Sequence, residues 1–326
     1  MTTLEAIHGS VAAEMKLMNE RIAGILNTNN DLMNSVVAAQ LRSKGKQIRP
    51  LVVILSSRLC GDPSDATIAA AAAVELLHNA SLIHDDVVDN AATRRKYPTI
   101  NSIWDNHIAV LVGDYFESCA MQQAVSTADI RVIDALSGLG RLLSLGEIDQ
   151  IYNARFHTLT EASYYNVIGN KTASFFVACA RMGLYTAGIN DDDPRLEALS
   201  VFAEKLGLCF QIRDDIFDYF SSDAVGKPTN NDLREGKITL PLLHVLLDDS
   251  LPAHADMLAL ARKEMLDPED IAVLTKFAVD NGGIEYAYAE MDRLRDEARA
   301  AIASFPSSEV KTSLLALFDF IISRDH

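Results

Sequence analysis

Two segments of the chain carry three aspartates each, as an adjacent pair followed after two residues by a third. The clusters are Asp85, Asp86 and Asp89, and Asp214, Asp215 and Asp218. Both lie in stretches with helical apolar spacing, and residues four apart share one helix face. Like charges there destabilise a helix unless cations neutralise them. Mg²⁺ binds one or two carboxylates together with substrate phosphates. The pattern therefore predicts two facing carboxylate walls with diphosphate and metal between them.

The alternative for each cluster is a solvated acidic helix face. A single cluster in an acidic protein fits that interpretation as well as it fits a metal site. Two copies, each within an apolar helix, make the solvated interpretation much weaker.

Basic residues stand in four places that suit an anionic ligand. Residues 45–50 (GKQIRP) put two cations at an expected helix start, where backbone N–H groups favour anions. Residues 94–96 (RRK) follow the first aspartate cluster, Lys171 lies in an apolar helix, and residues 226–237 have lysines at both ends. Each signal alone is equally well explained by a solvated or charge-compensating side chain.

Composition limits the classes of function. The 326 residues carry a net charge of −16, which disfavours binding to nucleic acid and to anionic lipid. The four cysteines form no CxxC pair, which indicates reduced core thiols and a cytoplasmic protein. The N-terminal segment does not have the pattern of a signal peptide. There is also no run of 18 apolar residues, so no membrane span is expected.

Helical periodicity dominates the chain, and no sustained strand pattern is present. The predicted helices cover residues 2–27, 31–42, 48–60, 64–91, 105–127, 130–155, 161–186, 195–221, 238–248, 254–263, 267–281, 283–303 and 308–323. No linker or repeat divides them. We therefore expect an all-α protein, a large helix bundle forming a single domain over residues 1–326.

An ordered set of motifs resembles the trans-isoprenyl diphosphate synthase family (the polyprenyl synthetases). The motifs are GKQIRP, ELLHNASLIHDDVVD followed by TRR, VLVGDYF, GEIDQ, KTASFF, FQIRDDIFD and GKPTNNDLREGKITLP. They span residues from about 45 to 241. The resemblance implies the isoprenoid synthase fold with a central cavity, three Mg²⁺ ions per active site, and a homodimer.

The family's residue roles carry over onto matching positions. The first aspartate cluster would bind Mg²⁺ and the allylic diphosphate, and the second would hold the third metal ion. Isopentenyl diphosphate would be bound by Lys46, Arg49, His78 and Arg95. The allylic diphosphate would contact Arg94, Lys171 and Lys237, with Gln211 and Lys227 nearby. Thr172 would assist at the reacting carbon.

The implied reaction lengthens an allylic diphosphate, such as farnesyl diphosphate, by isopentenyl units. Mg²⁺ assists ionisation, the isopentenyl double bond attacks the allylic cation, and a proton is lost. One departure is visible: the family usually has glycine after the paired arginines, and here it is Lys96. We expect this to change the flexibility of the loop and to leave the chemistry intact.

Product length is predicted from the helix before Asp85. Leu77, Ser81 and Asp85 follow a spacing of four and form one stripe, with Ala80 beside it. Short-chain family members carry a bulky aromatic four or five residues before the first aspartate, where this chain has only Ala80 and Ser81. This favours a long-chain product of the octaprenyl type. The candidates for the tunnel floor are Leu77, Met121, Gln122 and Leu136. Ordinary core packing explains small residues equally well without the family comparison.

Two other functions use the same features. A terpene cyclase would also carry a DDxxD cluster and use Mg²⁺, but a second DDxxD and the GKQIRP and TRR motifs argue against it. A non-catalytic partner subunit of a two-component synthase would lack the aspartate clusters. A shorter-chain synthase, of the geranylgeranyl or farnesyl type, stays open.

The tunnel prediction is testable by substitution. Ala80→Phe and Ser81→Phe should each shorten the product, because an aromatic ring would block the tail close to the first cluster. Each helical turn adds ~5.4 Å of tunnel, of the order of one isoprene unit. Chromatography of the dephosphorylated prenols measures the length, with Ser81→Ala as the control. Unchanged length in both phenylalanine variants would contradict the assignment.

Overall fold

The structure is a computed structural model that describes residues 4–42, 45–220 and 230–323. Nearly all of its regular structure is helical, which confirms the all-α prediction. The helices in the first half are α1 (Leu4–Ser10), α2 (Ala12–Leu26), α3 (Asp31–Arg42), α4 (Ile48–Cys60), α5 (Asp65–Val88), α6 (Ile100–Ile103), α7 (Asn106–Ser126) and α8 (Ile130–Phe156). Those in the second half are α9 (Glu161–Ile168), α10 (Ser174–Thr186), α11 (Pro194–Asp218), α12 (Asn231–Arg234), α13 (Leu240–Leu247), α14 (His254–Ala261), α15 (Pro268–Asp280), α16 (Gly283–Ala301) and α17 (Glu309–Ser323).

Two compact units follow from the contacts between Cα atoms. The first comprises residues 1–140, 176–200 and 305–316, and the second comprises residues 141–175, 201–304 and 317–326. The first aspartate cluster belongs to the first unit and the second cluster to the second unit. The single domain expected from the sequence stays a prediction.

The first unit is built around α5, which packs against α2, α4 and α7. Residues 69–73 of this helix are all alanine and are fully buried, because their small side chains let neighbouring helices approach closely. A capping box fixes the helix start. The Ser64 hydroxyl accepts from the Thr67 N–H at 3.3 Å, and the Thr67 hydroxyl accepts from the Ser64 N–H at 3.0 Å.

Among the described residues, α5 is also the one helix whose length and composition would allow it to cross a membrane. However, 72% of its most apolar window is buried inside the protein. Such burial is typical of a core helix.

The second unit has its core around α13, which packs against α9, α15 and α16. The buried side chains of this core include Leu242, Val245, Leu246, Leu274 and Phe277. Gly283 begins α16 where a Cβ atom would lie 2.2 Å from the Pro241 carbonyl oxygen, so only glycine permits this approach.

The prediction that no strand is present was wrong for one short hairpin after α5. Strands β1 (Thr93–Arg94) and β2 (Tyr97–Pro98) pair antiparallel. Two residues per strand are too few for alternation to appear in the sequence. Arg95 and Lys96 form the turn with φ of 50° and 70°, values that favour glycine. The family's usual glycine would therefore fit at position 96, and the lysine costs about 1 kcal/mol of backbone strain.

The helix predicted over residues 161–186 is interrupted. A π-helical turn, Gly169–Ala173, separates α9 from α10. Such turns insert one extra residue into a helix and occur frequently at functional sites. This turn contains Lys171 and Thr172, two of the predicted site residues. The continuous helix was predicted from its apolar periodicity. A single inserted residue hardly disturbs that periodicity, so the interruption was not predicted.

Candidate active site

Both aspartate clusters occupy the last turn of their helices, where α5 ends at Val88 and α11 ends at Asp218. The helix dipole is negative at that end and disfavours anions. Neither last turn contains a basic residue. Each helix therefore ends in concentrated negative charge, and a bound cation would relieve that cost.

In the first cluster the three carboxylates have different surroundings. Asp86 is buried, and its Oδ1 accepts from the Arg94 Nε at 2.8 Å. Burial raises the pKa of Asp86, and the Arg94 guanidinium opposes that rise. Asp85 is half-buried and Asp89 is exposed at the helix C-cap. Arg94 thus contacts the first cluster directly, and its role in binding the allylic diphosphate stays a prediction.

A group of cations lies in the same unit. The Arg49 Nη1 lies 3.2 Å from the His78 Nε2, and the Arg49 guanidinium lies over the Phe176 ring at 5.5 Å. Gly45 packs so closely against Arg95 that an added Cβ would lie 2.7 Å from its Nη1. Burial, followed by the nearby Arg94, lowers the pKa of Arg95. The predicted residues Arg49 and His78 are thus in contact, and Arg95 is close enough to lower the pKa of His78. The Lys46 backbone carbonyl oxygen lies 2.9 Å from the His8 Nε2.

In the second cluster, Asp215 is held on both oxygens. The Tyr164 hydroxyl donates to Oδ2 at 2.7 Å, and the Gln211 Nε2 donates to Oδ1 at 2.8 Å. Burial raises the pKa of Asp215 to about 7, although both hydrogen bonds oppose that rise. Asp214 is half-buried on the same helix end.

Asp218 organises the segment that follows the second cluster. Its two carboxylate oxygens accept from the backbone N–H groups of Asn231 and Asp232, each at 3.0 Å. These contacts fix the start of α12. Lys227 lies outside the described residues, and Lys237 follows α12, where its side chain donates to Glu235.

The π-helical turn presents Lys171 and Thr172 to the same unit. Lys171 forms an ion pair with Glu147 and lies 3.5 Å from the Gln150 Oε1. The Thr172 hydroxyl donates to the Gln211 Oε1 at 2.8 Å. Thr172, Gln211 and Asp215 therefore form a continuous hydrogen-bonded chain.

A cavity of about 270 Å³ collects the predicted residues of the second unit. Its walls include Lys171, Thr172, Gln211, Asp215 and Lys237. The cavity therefore carries cationic, hydroxyl, amide and carboxylate groups, which is a donor set suited to a phosphorylated ligand and its counter-ions.

Three further residues of this site were not predicted. They are Glu147, which pairs with Lys171; Tyr164, which holds Asp215; and Asp232, which lines the cavity. Burial, followed by Asp215 and Asp218, raises the pKa of Asp232 well above its ordinary value. Glu147 lies in the quoted GEIDQ motif. Asp232 lies in the quoted GKPTNNDLREGKITLP motif, although no role was assigned to it there.

The chain-length candidates lie in the first unit. Leu77 and Ala80 are buried on α5, and Ser81 is half-buried with its hydroxyl donating to the His78 carbonyl oxygen at 2.9 Å. Met121 lines a groove along α7 with Asp114, Glu117, Ser118, Gln122 and Val125. Their role in product length stays a prediction.

The sequence profile of the polyprenyl synthetase family matches residues 30–276, which is more than half of the chain. The chain belongs to this family. It is 31% identical to the octaprenyl diphosphate synthase of Escherichia coli (strain K12), over 99% of each protein.

Solved structures agree with that assignment. A polyprenyl synthase from Caulobacter crescentus CB15, complexed with calcium and isoprenyl diphosphate, superposes with a TM-score of 0.92 at 30% identity, over 100% of this chain and 99% of that one. A geranylgeranyl pyrophosphate synthase from Bacteroides thetaiotaomicron superposes with a TM-score of 0.83 at 34% identity, over 98% of each chain. The fold is thus the all-α fold of the polyprenyl synthases.

His78 gives a test of the cation group. Burial, followed by Arg49 and Arg95, lowers its pKa well below 6.5. Below pH 6.5 the unfolded chain therefore binds more protons than the folded one. The free energy of unfolding consequently decreases as the pH is lowered. The loss is at most about 1.4 kcal/mol per pH unit. His78→Gln should reduce this loss, because the amide does not titrate.

Urea unfolding at pH 7 and pH 5 measures the effect. The control is His107→Gln, since the His107 side chain is 95% exposed. Equal pH dependence in wild type and His78→Gln would show that His78 does not stay neutral in the folded state.

Proposed function

We propose that this protein is a trans-polyprenyl diphosphate synthase that adds isopentenyl diphosphate sequentially to an allylic diphosphate. Farnesyl diphosphate is the proposed primer, and the proposed product is a long-chain polyprenyl diphosphate. The observation that carries the proposal is the pair of DDxxD clusters, each at the negative end of an apolar helix in a polyprenyl synthetase chain. Membership of this family makes the protein a prenyltransferase.

Three Mg²⁺ ions per active site fit the donor set. Asp85, Asp86 and Asp89 would hold two of them, and Asp214, Asp215 and Asp218 the third; all are hard oxygen ligands. The raised pKa of Asp215 supports the assignment, because a nearby cation would favour its ionised form. When bound, Mg²⁺ neutralises the charge that develops on the departing diphosphate. The related polyprenyl synthase of known structure contains calcium.

The two substrates are assigned to separate groups of basic residues. Isopentenyl diphosphate is bound by Lys46, Arg49, His78 and Arg95, three of which lie close together in the first unit. The allylic diphosphate is bound by Arg94, Lys171, Lys237 and Lys227. The proximity of Arg94 to Asp86, and of Lys171 and Lys237 to one cavity, supports this division.

In the reaction, the bond between the allylic C1 atom and the diphosphate oxygen breaks, and both electrons leave with the diphosphate. The isopentenyl double bond supplies the electron pair of the new carbon–carbon bond. The proton then lost from the isopentenyl unit passes to the released diphosphate. The Thr172 hydroxyl donates a hydrogen bond to the Gln211 Oε1, so its oxygen lone pairs can stabilise the transient positive charge. The site must exclude water, which would quench the cation.

A long product is supported by the small side chains of Ala80 and Ser81 and by the likeness to octaprenyl diphosphate synthase. The second candidate is a shorter-chain synthase. It is favoured by the 34% identity to a geranylgeranyl pyrophosphate synthase. A terpene cyclase is less well supported, since it would have no use for an isopentenyl site.

The proposed setting is the cytoplasm, with the protein acting as a homodimer. Free buried thiols support a reducing compartment. The net charge of −16 supports small anionic substrates held by local cations, and no nucleic-acid partner.

A product assay tests the proposal. Purified protein is incubated with Mg²⁺, farnesyl diphosphate and labelled isopentenyl diphosphate, and the dephosphorylated alcohols are sized by chromatography. One dominant long prenol that disappears with a chelator is expected. A short prenol would keep the enzyme class and overturn the long-chain assignment. Consumption of farnesyl diphosphate without incorporation of label would indicate a cyclase.

A further inference from the structure

A tyrosine hydroxyl holds the most deeply buried carboxylate of the second cluster. Asp215 is only 3% exposed, whereas Asp214 and Asp218 are half-buried. The Tyr164 hydroxyl donates to the Asp215 Oδ2 at 2.7 Å, and the tyrosine side chain is itself buried. A buried acceptor that loses its donor has few ways to replace it. The orientation of this carboxylate therefore depends on the tyrosine.

The other oxygen of the same carboxylate is held from its own helix. The Gln211 Nε2, one turn earlier on α11, donates to the Asp215 Oδ1 at 2.8 Å. Each oxygen of an ionised carboxylate has two lone pairs, so each keeps one for a metal ion or for water bound to the metal. The two donors thus fix the plane of the carboxylate and leave it able to bind a cation.

The tyrosine also connects two segments of the site. α9 brings Tyr164 to Asp215, and the π-helical turn that follows α9 brings Thr172 to the Gln211 Oε1 at 2.8 Å. All four residues belong to the second unit and line one cavity. The segment from α9 to the π-helical turn is therefore hydrogen-bonded to α11 at both of its ends, and Tyr164 makes the contact at the metal-binding end.

We propose that Tyr164 is a positioning residue that orients the Asp215 carboxylate toward the Mg²⁺ ion assigned to the second cluster. The inference rests on the proposed function. Tyr164 itself touches neither metal nor substrate in this role. Hydrogen-bond partners of metal ligands fix the direction of the ligand lone pairs, and their removal typically weakens metal binding by about 10- to 100-fold.

Two effects oppose each other when the hydroxyl is removed. A carboxylate with one donor fewer has more charge density for a cation, whereas a carboxylate that is held on one side only rotates away from the metal. The burial of Asp215 favours the second effect, because little of its surface is open to a water molecule that would replace the hydroxyl. In Tyr164→Phe we expect the Mg²⁺ concentration for half-maximal binding of inorganic diphosphate to rise about 10-fold or more.

The matched control is Tyr165→Phe. It removes the same atom from the next residue, whose hydroxyl donates to the Glu290 Oε2 at 3.1 Å. Calorimetric titration of inorganic diphosphate at a series of Mg²⁺ concentrations measures both variants. Tyr165→Phe should change the Mg²⁺ requirement by less than about 2-fold, and both variants should keep the KM for isopentenyl diphosphate at saturating Mg²⁺ within about 2-fold. An unchanged or lower Mg²⁺ requirement in Tyr164→Phe would overturn the proposal.

A double-mutant cycle separates the orientation of Asp215 from a general effect on the fold. If Tyr164 acts through this carboxylate, Tyr164→Phe should change the Mg²⁺ requirement by less than about 2-fold in an Asp215→Asn background. An equal effect in both backgrounds would also overturn the proposal. Urea unfolding checks that each variant folds. Should Tyr164→Phe not fold, Tyr164→His carries the same test, because its shorter ring keeps a polar edge and does not reach the carboxylate.

The same measurements separate this proposal from the proposed function. If the wild type and Tyr164→Phe bind diphosphate with the same Mg²⁺ requirement, the role of Tyr164 fails while the function stands. If the wild type neither binds diphosphate with Mg²⁺ nor incorporates labelled isopentenyl diphosphate, the proposed function fails. Should an active wild type bind diphosphate too weakly to measure, the Mg²⁺ concentration for half-maximal incorporation gives the same comparison.

Discussion

Negative charge at the wrong end of a helix is the constraint on which this structure depends. Both α5 and α11 end in three aspartates, where the helix dipole already disfavours anions. Most of the preceding part of α5 is buried, with five consecutive alanines at residues 69–73, so the carboxylates gain little from the surrounding core. Both the clustered like charges and the helix dipole destabilise this arrangement. A ligand that supplies positive charge explains it best.

The protein compensates this charge differently in its two units. In the first unit a cation does so, because Arg94 pairs with Asp86. In the second unit, neutral donors do so, since Tyr164 and Gln211 hold Asp215. Neutral donors leave the net charge of the second cluster unchanged, which agrees with the pKa of about 7 for Asp215. The Asp218 carboxylate accepts hydrogen bonds from two backbone N–H groups, and so it also orders the segment that begins α12.

The sequence predicted the helices well, because an apolar face recurring over ten or more residues is a strong signal. It also predicted that Thr172 and Gln211 belong together, although only through a family resemblance. The hairpin around Arg95 and the π-helical turn at Gly169–Ala173 were missed, since each involves only a few residues and leaves the periodicity intact. The partner Tyr164 could not be predicted, because tertiary packing and not local spacing brings it to Asp215. Asp232 was not assigned a role either, although it lies in a quoted motif and lines the same cavity.

The most direct test of this account is the stability of the protein in the presence of Mg²⁺ and inorganic diphosphate. Unfolding is measured with each alone and with both together, in the wild type, Asp85→Asn, Asp214→Asn and the control Asp65→Asn, whose side chain is 82% exposed. If the clusters bind cations together with diphosphate, both ligands at about 100 times their dissociation constant should stabilise the wild type and the control by roughly 2.7 kcal/mol. Asp85→Asn and Asp214→Asn should lose most of that gain. Equal stabilisation of all four proteins, or none in the wild type, would contradict the claim that the aspartate clusters are cation sites.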